Sequence, residues 1–167
     1  PITHPVALTY TGSARATTDA PVAVGIQPFE DQRGRDERFL IGYRSLGRGE
    51  WERYVSSPDD VAAAGTRMAV DLIRRKGGTP GVLTGWDTTP DQMLALTDAF
   101  DVFVGGEIEQ LRCEAEKRLM HTHVVLEVDI VVYVGKVREG VVHRRPVSLR
   151  TERVTADFGP GEMQRFL

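Results

Sequence analysis

Between Val124 and Val134 every second residue is apolar: Val124, Leu126, Val128, Ile130, Val132 and Val134. His123, Glu127, Asp129 and Tyr133 take the other parity. A period of two sustained this far describes a strand with one buried face. Turn-forming segments flank it, Glu116 to Met120 before and Gly135 to Gly140 after, so its sequence neighbours are expected to pair with it antiparallel. The following strand, Val141 to Val154, is rich in arginine, which suits an edge because charge discourages further pairing. The preceding one starts at Val102-Phe-Val104, apolar on both sides as in a central strand. Past Gly105-Gly106 its apolar parity switches, from Val102, Val104 and Ile108 to Leu111, Cys113 and Ala115. A strand changes parity only through an irregularity, so a β-bulge is expected near Gly106 to Gln110.

The N-terminal half carries shorter signals. Pro5 to Tyr10 alternates as a half-buried strand, and Thr11 to Asp19 is small and polar, a loop. Pro21 to Phe29 predicts the central strand, ended by Pro28 and opening into the charged Glu30-Asp-Gln-Arg33. Its Ala23/Gly25 face is small enough for a helix to approach. Arg38 to Tyr43 and Glu50 to Val55 flank a glycine-bearing turn, which predicts an inserted β-hairpin over about 38–55. Ser57-Pro-Asp-Asp60 predicts a helix start with Ser57 as N-cap. The stripe Val61, Gly65, Met68 and Leu72 faces inward, Arg67–Asp71 and Asp71–Arg75 pair outside, and Gly77 caps the end. Gly65 is expected to pack on the Ala23/Gly25 face. Gly81 to Thr84 predicts a short strand, and Thr89-Pro-Asp-Gln92 caps a second helix running to about Ala99. Gly161 to Leu167 reads as the first turns of a truncated C-terminal helix. The fold class is α/β (α+β): a mixed sheet with helices mainly on one face and an antiparallel meander in its C-terminal half.

With 41% hydrophobic residues in 167, the chain supports a single domain spanning 1–167. Its net charge of −3 argues against nucleic acid as a partner. No apolar run approaches the roughly 20 residues of a membrane helix. One cysteine, Cys113, leaves no internal disulfide and no thiolate cluster.

Residue patterns with chemical potential are few. His121 and His123 have a spacing that metal sites use, but Cys113 and His123 fall on opposite parities, so no metal site is expected. Glu107 and Glu109 also read as an ordinary wet strand face. No phosphate loop, dinucleotide fingerprint or nucleophile elbow is present, so no cofactor and no catalytic residue is assigned. Phe29, Asp31 and Arg33 form a structural motif, with Asp31 and Arg33 pinning the charged loop. Phe39, Tyr43, Trp51 and Tyr54 on the hairpin are candidate partner-binding residues. Trp51 and Tyr54 lie on opposite parities, so at least one should be exposed.

Pro5 to Tyr10, Val22 to Arg33, the capped helix ending Arg74-Arg-Lys-Gly77, and Asp101 to Glu109 together resemble bacterial YajG-like envelope lipoproteins. The resemblance spans most of the chain. It implies a lipid-modified N-terminal cysteine, which Cys113, in mid-strand, cannot be. A lipid anchor would therefore lie ahead of Pro1, and would be the only link to a membrane. The resemblance further implies the periplasmic side of the envelope and a fold like the α/β domains of secretion-channel and periplasmic assembly proteins. The first expectation is thus a non-enzymatic lipoprotein that binds another envelope protein. The alternative is a hydrolase or small-ligand-binding enzyme using Glu30, Asp31 and Glu107. A third is a ring-forming export subunit.

Overall fold

A computed structural model describes residues 2–13, 21–96, 99–156 and 158–167. Nine strands form one mixed sheet that curls into a half-barrel, accompanied by three α-helices among the described residues. The spine is β7 (Val102–Lys117), paired along one edge with β8 (Thr122–Lys136) over its whole length. Along its other edge three short strands dock in series, all parallel to it. These are β2 (Ala23–Ile26), β3 (Glu30–Asp31) and β4 (Leu40–Gly47). Pro28 lies in the break between β2 and β3, where it need donate nothing to a ladder. Among the described residues β9 (Val141–Thr155) pairs only with β8 and forms a long edge.

The parity switch in β7 has its expected cause. Ile108 faces Ile130 and Gln110 faces Asp129, so Glu109 is the extra residue of a bulge. The bulge lets Val104, Ile108, Leu111, Cys113 and Ala115 share one face with the apolar run of β8.

Several expectations shift once the long-range pairings are known. β1 covers Ile2–Val6 rather than Pro5 to Tyr10, because its register is set by parallel pairing with β5 (Glu50–Ser56). Of the Thr11 to Asp19 loop, residues 14–19 lie outside the described residues. The hairpin exists, with Gly47, Arg48 and Gly49 all at positive φ, but it is not an insertion. β4 pairs with β7 and β5 with β1, so it is an integral part of the sheet. β6 (Thr79–Val82) starts two residues early and pairs with β2 at a sheet edge, where Pro80 is tolerated.

The first helix, α1 (Val61–Arg75), is capped by Asp60, whose carboxylate accepts from Ala63 N at 2.8 Å. Ser57 is not the cap, because the backbone is still extended at Asp60 (φ −68, ψ 170) and the helix starts only at Val61; the N–H of Ser57 donates to Val6 O and continues the β1 contact. Gly77 at φ 90 follows the last turn, and Gly78 N reaches back to Ile73 O at 3.0 Å. On the wet side Arg67 pairs with Asp59 and Arg74 with Asp71, not in the i,i+4 pattern expected. α2 (Pro90–Ala95) has Thr89 as its cap and is shorter than expected; residues 97 and 98 lie outside the described residues.

The helices do not share one face. α1 and α3 (Pro160–Phe166) pack on the apolar β7–β8 face, with Ile41, Tyr54, Val61, Ala64, Phe158 and Met163 in its core. α2 and its flanks cover the opposite face through Trp86, Met93 and Phe103, with Phe100 and Leu83 against them. Phe100 and Leu83 occupy the space beside Gly25, so α1 cannot. Gly65 instead faces Phe29 and Ile108.

Candidate functional site

Three places gather the residues with chemical or binding potential. The first is the charged loop after β2. Arg33 is nearly buried, its side chain 3% exposed, and Asp31 is 11% exposed. The guanidinium grips both carboxylate oxygens, Nε to Oδ1 at 2.8 Å and Nη2 to Oδ2 at 2.7 Å. It also donates to the carbonyls of Leu40 (2.8 Å), Leu111 (3.2 Å) and Glu37 (3.0 Å). All five N–H groups of the fork are therefore used, tying the loop to β4 and β7. Burial works against the Asp31 carboxylate, but the hydrogen bonds and charge of Arg33 outweigh it and hold its pKa below the usual value. Phe29 completes the motif. Its N–H donates to Thr66 Oγ1 of α1 at 2.8 Å, and its ring lies over Gly106, where a Cβ would come within 2.6 Å.

Of the carboxylates of the hydrolase alternative, Glu30 and Glu107 stand side by side on one face of the sheet, and Asp31 lies on the other. Glu30 is the register partner of Glu107, which also accepts from Tyr133 Oη at 3.3 Å. Asp31 is the partner of Ile108 on the opposite face and is held by Arg33. Neither of the two best-formed cavities is lined by any of the three. His123 and Cys113 also separate: His123 lies 3.6 Å from Glu152, while Cys113 is buried. Burial pushes the Cys113 thiol up to about 12, with the charge of Glu114 adding to it.

The second place is the β4–β5 hairpin. Tyr43 is 38% and Trp51 43% exposed, with ring centroids 5.2 Å apart in edge-to-face geometry. Tyr43 pairs across the strands with Glu114 and Arg53, and Arg53 Nε is buried without a hydrogen-bond partner among the described residues. Phe39 is exposed at the far end of β4, under the Arg38 guanidinium at 5.1 Å. Tyr54 departs from the candidate set. It is fully buried, stacked on His4 and edge-to-face with Phe158. Burial, followed by the charge of Glu52, pushes its hydroxyl up to about 12.

The third place has no single sequence signature. A cavity of about 530 Å³ runs between α1 and the sheet. Its floor is Val104, Ile108 and Leu111 of β7 with Leu126, Val128, Ile130 and Val132 of β8. Its roof is the inner stripe of α1, including Gly65, Met68, Ala69 and Leu72. Leu8, Tyr10, Phe29, Leu149 and Leu167 complete the lining, which contains no charged side chain. A sealed dry void of that size would cost about 13 kcal/mol at about 24 cal/mol per Å³. That is the scale of a domain's whole net stability, about 5–15 kcal/mol. The space must therefore be open or occupied. Leu149 of β9, which lines it, is half-exposed, so the cavity reaches solvent at that wall.

No family model and no curated protein matches the chain. Among solved structures it is similar to protein XCC0632 of Xanthomonas campestris, of the DUF330 family. That match has a TM-score of 0.58 and 6% identity, over 97% of this chain and 84% of that one. The hypothetical protein CT253 of Chlamydia trachomatis matches at TM-score 0.48 and 13% identity, over 80% and 73% of the two chains. The lipoprotein GNA1162 of Neisseria meningitidis matches at 0.42 and 10%, over 87% and 92%. At such identities the likeness to XCC0632 is one of fold. The YajG-like assignment rests on the sequence motifs alone. No helix among the described residues is long and apolar enough to cross a membrane.

Proposed function

We propose that this domain is a non-enzymatic binding module on the periplasmic side of the bacterial envelope. It engages another envelope protein through the Tyr43–Trp51 surface. The envelope placement follows from the resemblance to YajG-like lipoproteins. The binding role is supported by one observation above all, the exposed, mutually packed Tyr43–Trp51 pair on an otherwise charged sheet face. Tyr, Trp and Arg are the residues that dominate interface hot spots, and Arg53, the cross-strand partner of Tyr43, stands beside them. A partner that offers a carbonyl or carboxylate to Arg53 and a flat apolar surface to Trp51 fits this surface.

The test is site-specific photocrosslinking in cells, with the probe at Trp51 or at Val82, an exposed apolar residue on a different strand. A discrete product from position 51, absent from position 82 and lost with Tyr43→Ala, supports the assignment. Identical products from both positions, or none from either, would reject it. Trp51→Ala should cost only about 1 kcal/mol of stability, the scale of one exposed aromatic contact, so lost crosslinking would not reflect unfolding.

A further inference from the structure

We propose that the cavity between α1 and β7–β8 binds the hydrocarbon tail of an anionic amphiphile, with the head on an arginine of β9. The inference is independent of the Tyr43–Trp51 surface, which lies on the other face of the sheet.

Three observations carry it. The cavity volume, about 530 Å³, falls in the range of small-molecule sites. Yet its lining lacks the few convergent polar groups that orient a polar ligand, so what it selects for is hydrocarbon. The opening is polarised in charge. On β9 the residues that share the face of the cavity include Val147 and Leu149, register partners of Ile130 and Val128 on the cavity floor. Arg145 and Arg153 flank them on the same face, opposite Val132 and Val124. Both are exposed, and neither forms an ion pair among the described residues, whereas Arg150 on the other face pairs with Glu127 and Glu152. At about 3.3 Å per residue Arg145 and Arg153 stand roughly 26 Å apart, so one head group meets one of them. An apolar slot with an uncommitted guanidinium toward either end matches a ligand with an alkyl tail and a carboxylate or phosphate head. The chemistry is shared by a free fatty acid and by one chain of an anionic phospholipid.

The probe is cis-parinaric acid, an 18-carbon fluorescent carboxylate, titrated into the delipidated full chain. Saturable binding of one probe per chain is expected. Palmitate and lysophosphatidylglycerol should both displace it, and whichever does so at the lower concentration identifies the source of the head group. Hexadecanol, with the tail but no charge, should compete at least tenfold more weakly. The double variant Arg145→Glu/Arg153→Glu should weaken binding by about tenfold or more. Ala69→Phe should abolish binding by filling the slot. Because that variant could also perturb α1, Leu149→Glu provides a second block at a half-exposed position outside the core. The proposal is overturned if no saturable binding occurs or if Leu149→Glu binds as well as the wild type. It also fails if light scattering shows a dimer that excludes the probe, because the slot is then an interface between two copies.

Discussion

Removing the Arg33 side chain gives the sharpest test of how the domain is held together. Arg33→Ala deletes five hydrogen bonds, and it strands the Asp31 carboxylate at 11% exposure with no cation beside it. The backbone N–H of Arg33 remains to it at 3.1 Å, which cannot replace a bidentate guanidinium. Breaking a buried pair from one side costs about 3–5 kcal/mol, because the remaining charge is uncompensated. The pair itself, measured against an apolar replacement, is worth much less. At about 2–4 °C per kcal/mol for a domain of this length, the expected loss is roughly 6–20 °C in Tm. The assay is urea unfolding followed by far-ultraviolet circular dichroism, on Arg33→Ala, Asp31→Ala and the double variant. The double variant should be little worse than Arg33→Ala, since the stranded charge is gone. Arg33→Lys should recover only part of the loss, because an ammonium cannot fork across two carboxylate oxygens. The reasoning is refuted if Arg33→Ala costs under about 1 kcal/mol, or if the two single losses simply add.

Three further outcomes are expected of the same domain. Asp31 has a folded-state pKa below its ordinary 3.8, so its contribution is complete above that value and lost as pH falls through the folded one. The stability gap between the wild type and Asp31→Asn should therefore be full at neutral pH and shrink below about pH 4; a gap independent of pH would contradict this. Two glycines should respond oppositely to alanine in thermal melts. At Gly42 the new Cβ would lie 1.8 Å from the Cys113 carbonyl oxygen of the central strand, for a loss at or above the usual overpacking range of about 1–3 kcal/mol. At Gly65 the nearest atom is 3.4 Å away on the Phe29 ring, so the helix should gain up to about 1 kcal/mol. Cys113, buried and with its thiol pushed up to about 12, should resist iodoacetamide at pH 8 until urea unfolds the chain.

Much of the C-terminal half was legible in the sequence, because its signals are local. Side-chain parity in a strand is a property of consecutive residues, so the one-sided run of β8 and the bulge in β7 are visible without any partner. The Thr89 cap, the glycine turn at 47–49 and the Asp31–Arg33 pair are likewise short-range. Which parity becomes buried is a different matter. Trp51 and Tyr54 look alike in sequence, and Tyr54 is the buried one only because α3 brings Phe158 against its face and β1 brings His4. Ser57 and Asp60 both carry a capping side chain; the backbone stays extended through Asp60, and the N–H of Ser57 is held by Val6, 51 positions earlier in the chain. The placement of α2 opposite α1, and the cavity that α1 leaves above the sheet, have no local signature at all. They depend on how far a helix stands from strands distant in sequence, and only the folded chain sets that distance.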